Sequence, residues 1–404
     1  GKVGAISVVG NIRVQEGSIQ AESIDAANIY SDNLAITVDG AITLVSGEAS
    51  GNIQCASVSA TEINNAYRIE ATNGDITVGE LGGALEGSVP YLKNGGKLTA
   101  ASTISASEDI LAGEIDGATK ITAGGRVEVG SWLDGADGAF TGGSILGTKD
   151  GISAETLRAG NIGSADSAVG FINVSGDDEA DFNNGENPVF AALYSTGDVY
   201  AKQISASGTT SSIYIAGNVT ITEPTVDGGI SASGMVYVGG NVTNAGTITA
   251  HDIVIKGTLE SAKSIVVTGG KIDIQKLGSV VNPNGDAINA ELASEDSNLG
   301  FTADSVVEGN IRFGSAADTL DLGNLKSFSG TIYMGGVSDA DAYDTIKVGS
   351  SVFAEGTGIA LNKVGNANNV NLAIEGGSLD LGNGTIETSG DAANVKLDLA
   401  TLSN

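Results

Sequence analysis

Short apolar runs recur along this chain at a steady beat, most clearly in residues 234–275 (GMVYVGGNVTNAGTITAHDIVIKGTLESAKSIVVTGGKIDIQ). Val236-Tyr237-Val238 is followed by Val242, Ile248, Ile253-Val254-Ile255, Leu259, Ile265-Val266-Val267 and Ile272-Asp273-Ile274. The runs start five to seven residues apart, with Gly, Asn, Ser or Lys between them. Runs this short and this close suit neither a 3.6-residue helical period nor an ordinary hairpin meander. Every third run returns to the same wall: eighteen residues separate Val236 from Val254, and eighteen more lead to Ile272. The pattern predicts an all-β fold, a parallel β-solenoid with three short strands per coil of about eighteen residues. Inward β-branched side chains then stack on their counterparts one coil up and one coil down.

The beat is present from the start, at Ile6, Ile12, Ile19, Ile24, Ile29, Ile36 and Ile42. It pauses at 79–96, 131–150, 165–199 and 278–302, which are expected to be loops leaving the shaft; the last holds the turn-rich NPNGD at 282–286. All four prolines (Pro90, Pro188, Pro224, Pro283) fall where the beat pauses. Residues 1–305 therefore read as a shaft with insertions, and 306–404 as its continuation in longer coils rich in Asp, Thr and Gly. Spacing that drifts between five and seven, with large insertions, favours the right-handed form over the strict hexapeptides of the left-handed one.

Composition narrows the picture. Sixty glycines without a G-X-Y period exclude collagen, and 4% aromatics suit a thin bore lined by Ile, Val, Leu and Ala. The net charge of −30, from 49 acidic and 19 basic residues, argues against nucleic acid as a partner. One cysteine, Cys55, excludes an intrachain disulfide, and one histidine, His251, excludes multi-histidine metal sites and disfavours a Ser-His-Asp triad. Cys55 is expected in the core and His251 in a turn. No apolar run reaches the roughly 18 residues of a membrane-spanning helix. A start at Gly1 without a signal peptide suggests a processed piece of a longer precursor.

Candidate chemistry is sparse. Sequence 335–344 (GGVSDADAYD) resembles one degenerate copy of a calcium-binding Asp-turn repeat, and DTLDL at 318–322 another. Asp339, Asp341 and Asp344 are the candidate calcium ligands, against the default of solvated turn residues. The acidic run 177–181 offers oxygen ligands for a hard cation in the same way. Four N-x-S/T matches begin at Asn173, Asn218, Asn241 and Asn383, a number expected by chance in a chain this rich in Asn, Ser and Thr. No catalytic or cofactor-binding residues stand out.

The Gly/Ser/Thr/Asn-rich coils SASGMVYVGGNVTNAGTITAHDIVIKG, SGTIYMGG and DTIKVG resemble the passenger domains of bacterial autotransporter and haemagglutinin-like surface proteins. The resemblance lies in repeat texture and covers most of the chain. It implies an extracellular, cell-surface β-helical stalk used for adhesion, self-association or coating. The expected function is thus a non-enzymatic bacterial structural and adhesive protein. Its expected partners are further copies of itself, with end-to-end filaments or layers as one version, and host or surface glycans and proteins. The rival readings are a β-helix carbohydrate-active enzyme or phage tailspike, and a calcium-dependent binding module.

Overall fold

A computed structural model describes residues 3–15, 17–31, 34–44, 52–64, 68–71, 76–81, 97–100, 103–106, 110–132, 140–184, 187–223, 229–337, 339, 341–348, 352–353, 358–362, 370–376, 386–389 and 395–398. They contain no helix, and short strands stacked in parallel form a β-solenoid. The chain divides into two compact units, Gly1–Gly217 and Asn218–Asn404.

In the first unit three columns of aligned residues run from coil to coil. One passes through Ile19, Ile36, Val58, Ile76, Ile104, Ile121, Ile152, Ile172 and Ile204. A second joins Ile6, Ile24, Ile42 and Ile63 and continues to Leu193 and Ile213. A third joins Ile12, Ile29, Ile53, Ile69, Leu98, Ile115, Ile145, Ile162 and Val199. Isoleucine suits this role because its branched Cβ restricts rotamers on a pleated surface, so identical side chains nest without much added entropy loss. Each fully buried Ile contributes roughly 1.5–3 kcal/mol of transfer free energy. Many strands alternate, as in Lys120–Ala123, where Ile121 and Ala123 are buried and Lys120 is exposed. Cys55 is buried as expected.

The second unit repeats the plan. Ile230, Ile248, Ile265, Ile288, Ile311, Ile332, Ile359 and Ile386 form one aligned column. The coils are shorter first and longer later: seventeen residues from Ile248 to Ile265, then twenty-six from Leu320 to Ile346. The wall through Val236 differs from the sequence expectation by one residue. Val236 aligns with Ile253, not Val254, and Ile253 aligns with Ile272. Val254 points to the other face, between inward Ile253 and Ile255, because strand side chains alternate.

The four expected loops resolve differently. Residues 82–96 lie outside the described residues, while 79–81 belong to the strand Ile76–Leu81. Within 131–150, strand Phe140–Gly142 folds antiparallel onto Val127–Trp132, and Ile145 is already back in its column. Within 165–199, only the antiparallel hairpin of Glu179–Asn184 with Asn187–Ala191 departs, since Ile172–Val174 and Leu193–Ser195 are coil strands. The stretch 278–302 is mostly strand. Ile272–Asn289 runs for eighteen residues past three successive partners, with irregular register between Val281 and Asp286 where Pro283 and Gly285 sit.

Polar side chains bind the turns. Asn28 Nδ2 donates to Asn11 Oδ1, and Asn28 Oδ1 accepts both the backbone N–H and the Nδ2 of Asn52. Asn218 Oδ1 accepts the N–H of Asn241, and Asn241 Oδ1 in turn accepts that of Thr258. Three of these bonds satisfy the backbone N–H groups of Asn52, Asn241 and Thr258, and two join side chains of successive coils.

Candidate functional site

Among the described residues, three clusters stand out from the pattern of buried aliphatic and exposed small polar residues. The first is the outward face of the first unit. Glu128, Arg158, Tyr194 and Tyr214 are aligned in four successive strands. They flank the buried Val127, Leu157, Leu193 and Ile213 and so point away from the bore. Yet Glu128 and Tyr194 are buried, because the hairpin strand Phe140–Gly142 and the segment ending at Ala191 fold over this face. Tyr194 stacks on Tyr214 with ring centres 5.4 Å apart, and Phe140 meets Tyr194 edge-on at 6.3 Å. The Arg158 guanidinium lies 5.5 Å from the Phe140 ring centre and 3.5 Å from Glu128 Oε2. Burial raises the Tyr194 pKa, and the Arg158 charge partly opposes that. The result is a small aromatic core outside the bore that also covers the Arg158–Glu128 ion pair. The side chain of the single tryptophan, Trp132, is not among those described.

The second place lies inside the second unit. Ser297, Asp318 and Asp344 are all buried at the start of their strands. Asp318 Oδ1 accepts the N–H of Ser297 at 2.9 Å, and Asp344 Oδ1 accepts that of Asp318 at 3.1 Å. Asp344 Oδ2 accepts the N–H of Gly336 at 3.1 Å. Asp318 Oδ2 is buried and takes no hydrogen bond from any described residue. Burial, reinforced by the Asp344 charge, pushes the Asp318 carboxyl up to about 8. Burial also lifts Asp344 to about 7, against the pull of the Asp318 and Gly336 N–H groups. Two carboxyl groups out of water cannot both ionise cheaply, so the pair holds a proton at neutral pH.

Of the expected calcium residues, Asp339 and Asp341 are exposed, and Asp339 Oδ1 accepts the N–H of Asp341 at 2.9 Å in a local turn. Asp344 is turned inward and engaged by backbone donors on both oxygens. Among the described residues, no three His, Cys, Asp or Glu side chains are grouped to hold an ion. In the run 177–181, Asp177 Oδ1 caps the N–H of Thr210, and Asp178 receives the N–H and hydroxyl of Ser212. His251 sits in a turn with Nδ1 2.7 Å from Asp252 Oδ2, while Asp252 Oδ1 accepts the N–H of Lys271.

The third place is the outward side of strand Val306–Arg312. Arg312 Nε donates to Asp286 Oδ1 at 2.8 Å, and its guanidinium lies 4.0 Å from the Tyr333 ring centre. Asp286 also accepts from Asn310 Nδ2 at 3.2 Å and from Asn289 Nδ2 at 3.4 Å. Partial burial works against the Arg312 charge, but Asp286 outweighs it and the pKa is raised. Neither this cluster nor the Glu128–Tyr214 column was visible in the sequence, since Arg312 lies 26 residues from Asp286 and 21 from Tyr333, neighbours in the column lie 20–36 apart, and they meet only through coil register.

Comparison with family models, curated proteins and solved structures finds no match to this chain.

Proposed function

We propose that this chain is an extracellular structural and adhesive protein of a bacterial surface, with no enzymatic role. Its coils act as a support, and its outward faces and side hairpins act as contact surfaces. The observation that carries this reading is the continuity of the inward columns past the insertions. Ile115, Ile145 and Ile162 stay aligned across the antiparallel excursion that opens at Gly130 and closes at Gly142, and Leu157 aligns with Leu193 across the 179–191 hairpin. Contact elements are thus mounted without interrupting the core, an arrangement in which the scaffold tolerates variation at the surface. The strongly acidic composition supports the same reading, because it keeps stacked-strand surfaces soluble and apart. Further copies of the chain and surface glycans are the partners this reading names.

The test pairs binding with turnover. Purified chain is immobilised and challenged with neutral and acidic polysaccharides, while reducing ends and unsaturated products are followed in solution. Retention of a polysaccharide without product formation is the expected result. Sustained product formation overturns the non-enzymatic reading in favour of a carbohydrate-active β-helix.

A further inference from the structure

We propose that Arg312, held 4.0 Å from the Tyr333 ring centre on the outward face of the second unit, receives the carboxylate of an acidic sugar residue in an otherwise neutral glycan. The proposal deepens the adhesive reading and rests on it for expecting a glycan at all.

Two contacts hold the guanidinium. The Tyr333 ring covers it on one side, and Nε is tied to Asp286. Asp286 is itself positioned by Asn289 and Asn310. This leaves the two terminal nitrogens, which hydrogen-bond to no described residue, with the side chain 26% exposed. A planar fork with unspent N–H groups accepts a carboxylate through two parallel hydrogen bonds, and holding it beforehand removes most of the ordering cost.

The surroundings select among carboxylates. Strand Val306–Arg312 is paired on both edges, with Ile272–Asn289 on one side and with Ser327–Ser329 and Thr331–Met334 on the other. A peptide finds no free main-chain edge to extend there. Asp286 and Glu291 both act on Arg312, and the chain carries −30 overall, so a run of carboxylates is repelled. A single carboxylate among hydroxyl groups meets Arg312 with a smaller share of that penalty.

The test uses the full chain and saturation-transfer NMR with sodium glucuronate, glucose, sodium acetate and a triglutamate peptide. Glucuronate is expected to bind, with glucose and acetate weaker by roughly tenfold or more. Arg312→Lys keeps the charge opposite Asp286 but loses the fork, and glucuronate binding should fall roughly tenfold with the melting temperature preserved. Arg312→Gln should abolish it. Undiminished binding by Arg312→Lys and Arg312→Gln overturns the site, as does no binding by the wild type at about 10 mM. Acetate equal to glucuronate overturns the sugar, and tighter triglutamate shifts the partner to acidic peptide. Glucuronate binding that depends on Arg312 in a chain that also degrades polysaccharide leaves this site standing and removes only the non-enzymatic reading.

Discussion

Asp344 accepts the backbone N–H of Asp318 at 3.1 Å, which places two buried carboxyl groups in consecutive coils of the second unit. Both bind protons more tightly folded than unfolded, at about 8 and about 7 against an ordinary 3.8. Below pH 4 both states are protonated, and the folded state keeps its full stability from these groups. As pH rises from 4 through 7–8, the unfolded chain releases its protons first and stability falls. The slope is about 1.4 kcal/mol per pH unit for each proton retained by the folded state. Thermal melts of Asp318→Asn against wild type from pH 4 to 9 should show the variant gaining relative stability as pH rises. A difference independent of pH contradicts the buried protonated pair.

The inward columns set the largest mutational costs. Ile265→Ala removes a fully buried side chain between Ile248 and Ile288 and should cost about 2–5 kcal/mol in denaturant unfolding. Thr249→Ala, on the opposite face of the neighbouring strand, should stay within about 0.5 kcal/mol. Equal effects would mean that the alternation does not define the core.

Coils also approach closely at turns that only glycine fits. A Cβ at Gly335 meets the carbonyl oxygen of Gly314, and one at Gly314 meets that of Ala293, so Ala293, Gly314 and Gly335 form a column of near backbone contacts. Gly335→Ala should lower stability by about 1–3 kcal/mol through forced separation of the coils. Gly10→Ala, with open space around it, serves as the control and should leave the melting temperature nearly unchanged.

Arg158 and Glu128 form an ion pair mostly hidden beneath Phe140. Arg158→Leu leaves a buried carboxylate without that cation and should destabilise the first unit by about 3–5 kcal/mol. The double change Glu128→Leu with Arg158→Leu should recover most of the loss. Chemical denaturation of the two variants side by side decides this, and a double variant no better than the single one contradicts the pairing.

The solenoid was legible because Ile and Val recur where every coil must return to the same wall, and period-2 alternation survives in each run. Finer register was not: Val254 has the right chemistry and an eighteen-residue spacing, yet Ile253 faces inward, and only the strand pairing decides between adjacent apolar residues. Residues 278–289 read as part of a loop because Pro283, Asn284 and Gly285 interrupt them, although strand on both sides of the irregularity holds its partners. Asp344 looks like one more turn acid; its inward position is tied to the N–H of Asp318, 26 positions away in the preceding coil. The Arg312 cluster escaped for the same reason, because contacts between coils leave no mark in local sequence.

The claim that the coils are a support for adhesion is tested most directly by display. The chain is fused to the surface of a non-adherent bacterium, and attachment to glycan-coated glass is counted under flow. A parallel strain carries Ile265→Ala, which weakens the support without touching an outward residue. The account predicts attachment by the wild-type strain, loss when the support is weakened or destabilised by warming, and no degradation of the coating. Attachment no greater than that of cells without the chain, or a coating consumed by enzymatic cleavage, contradicts it.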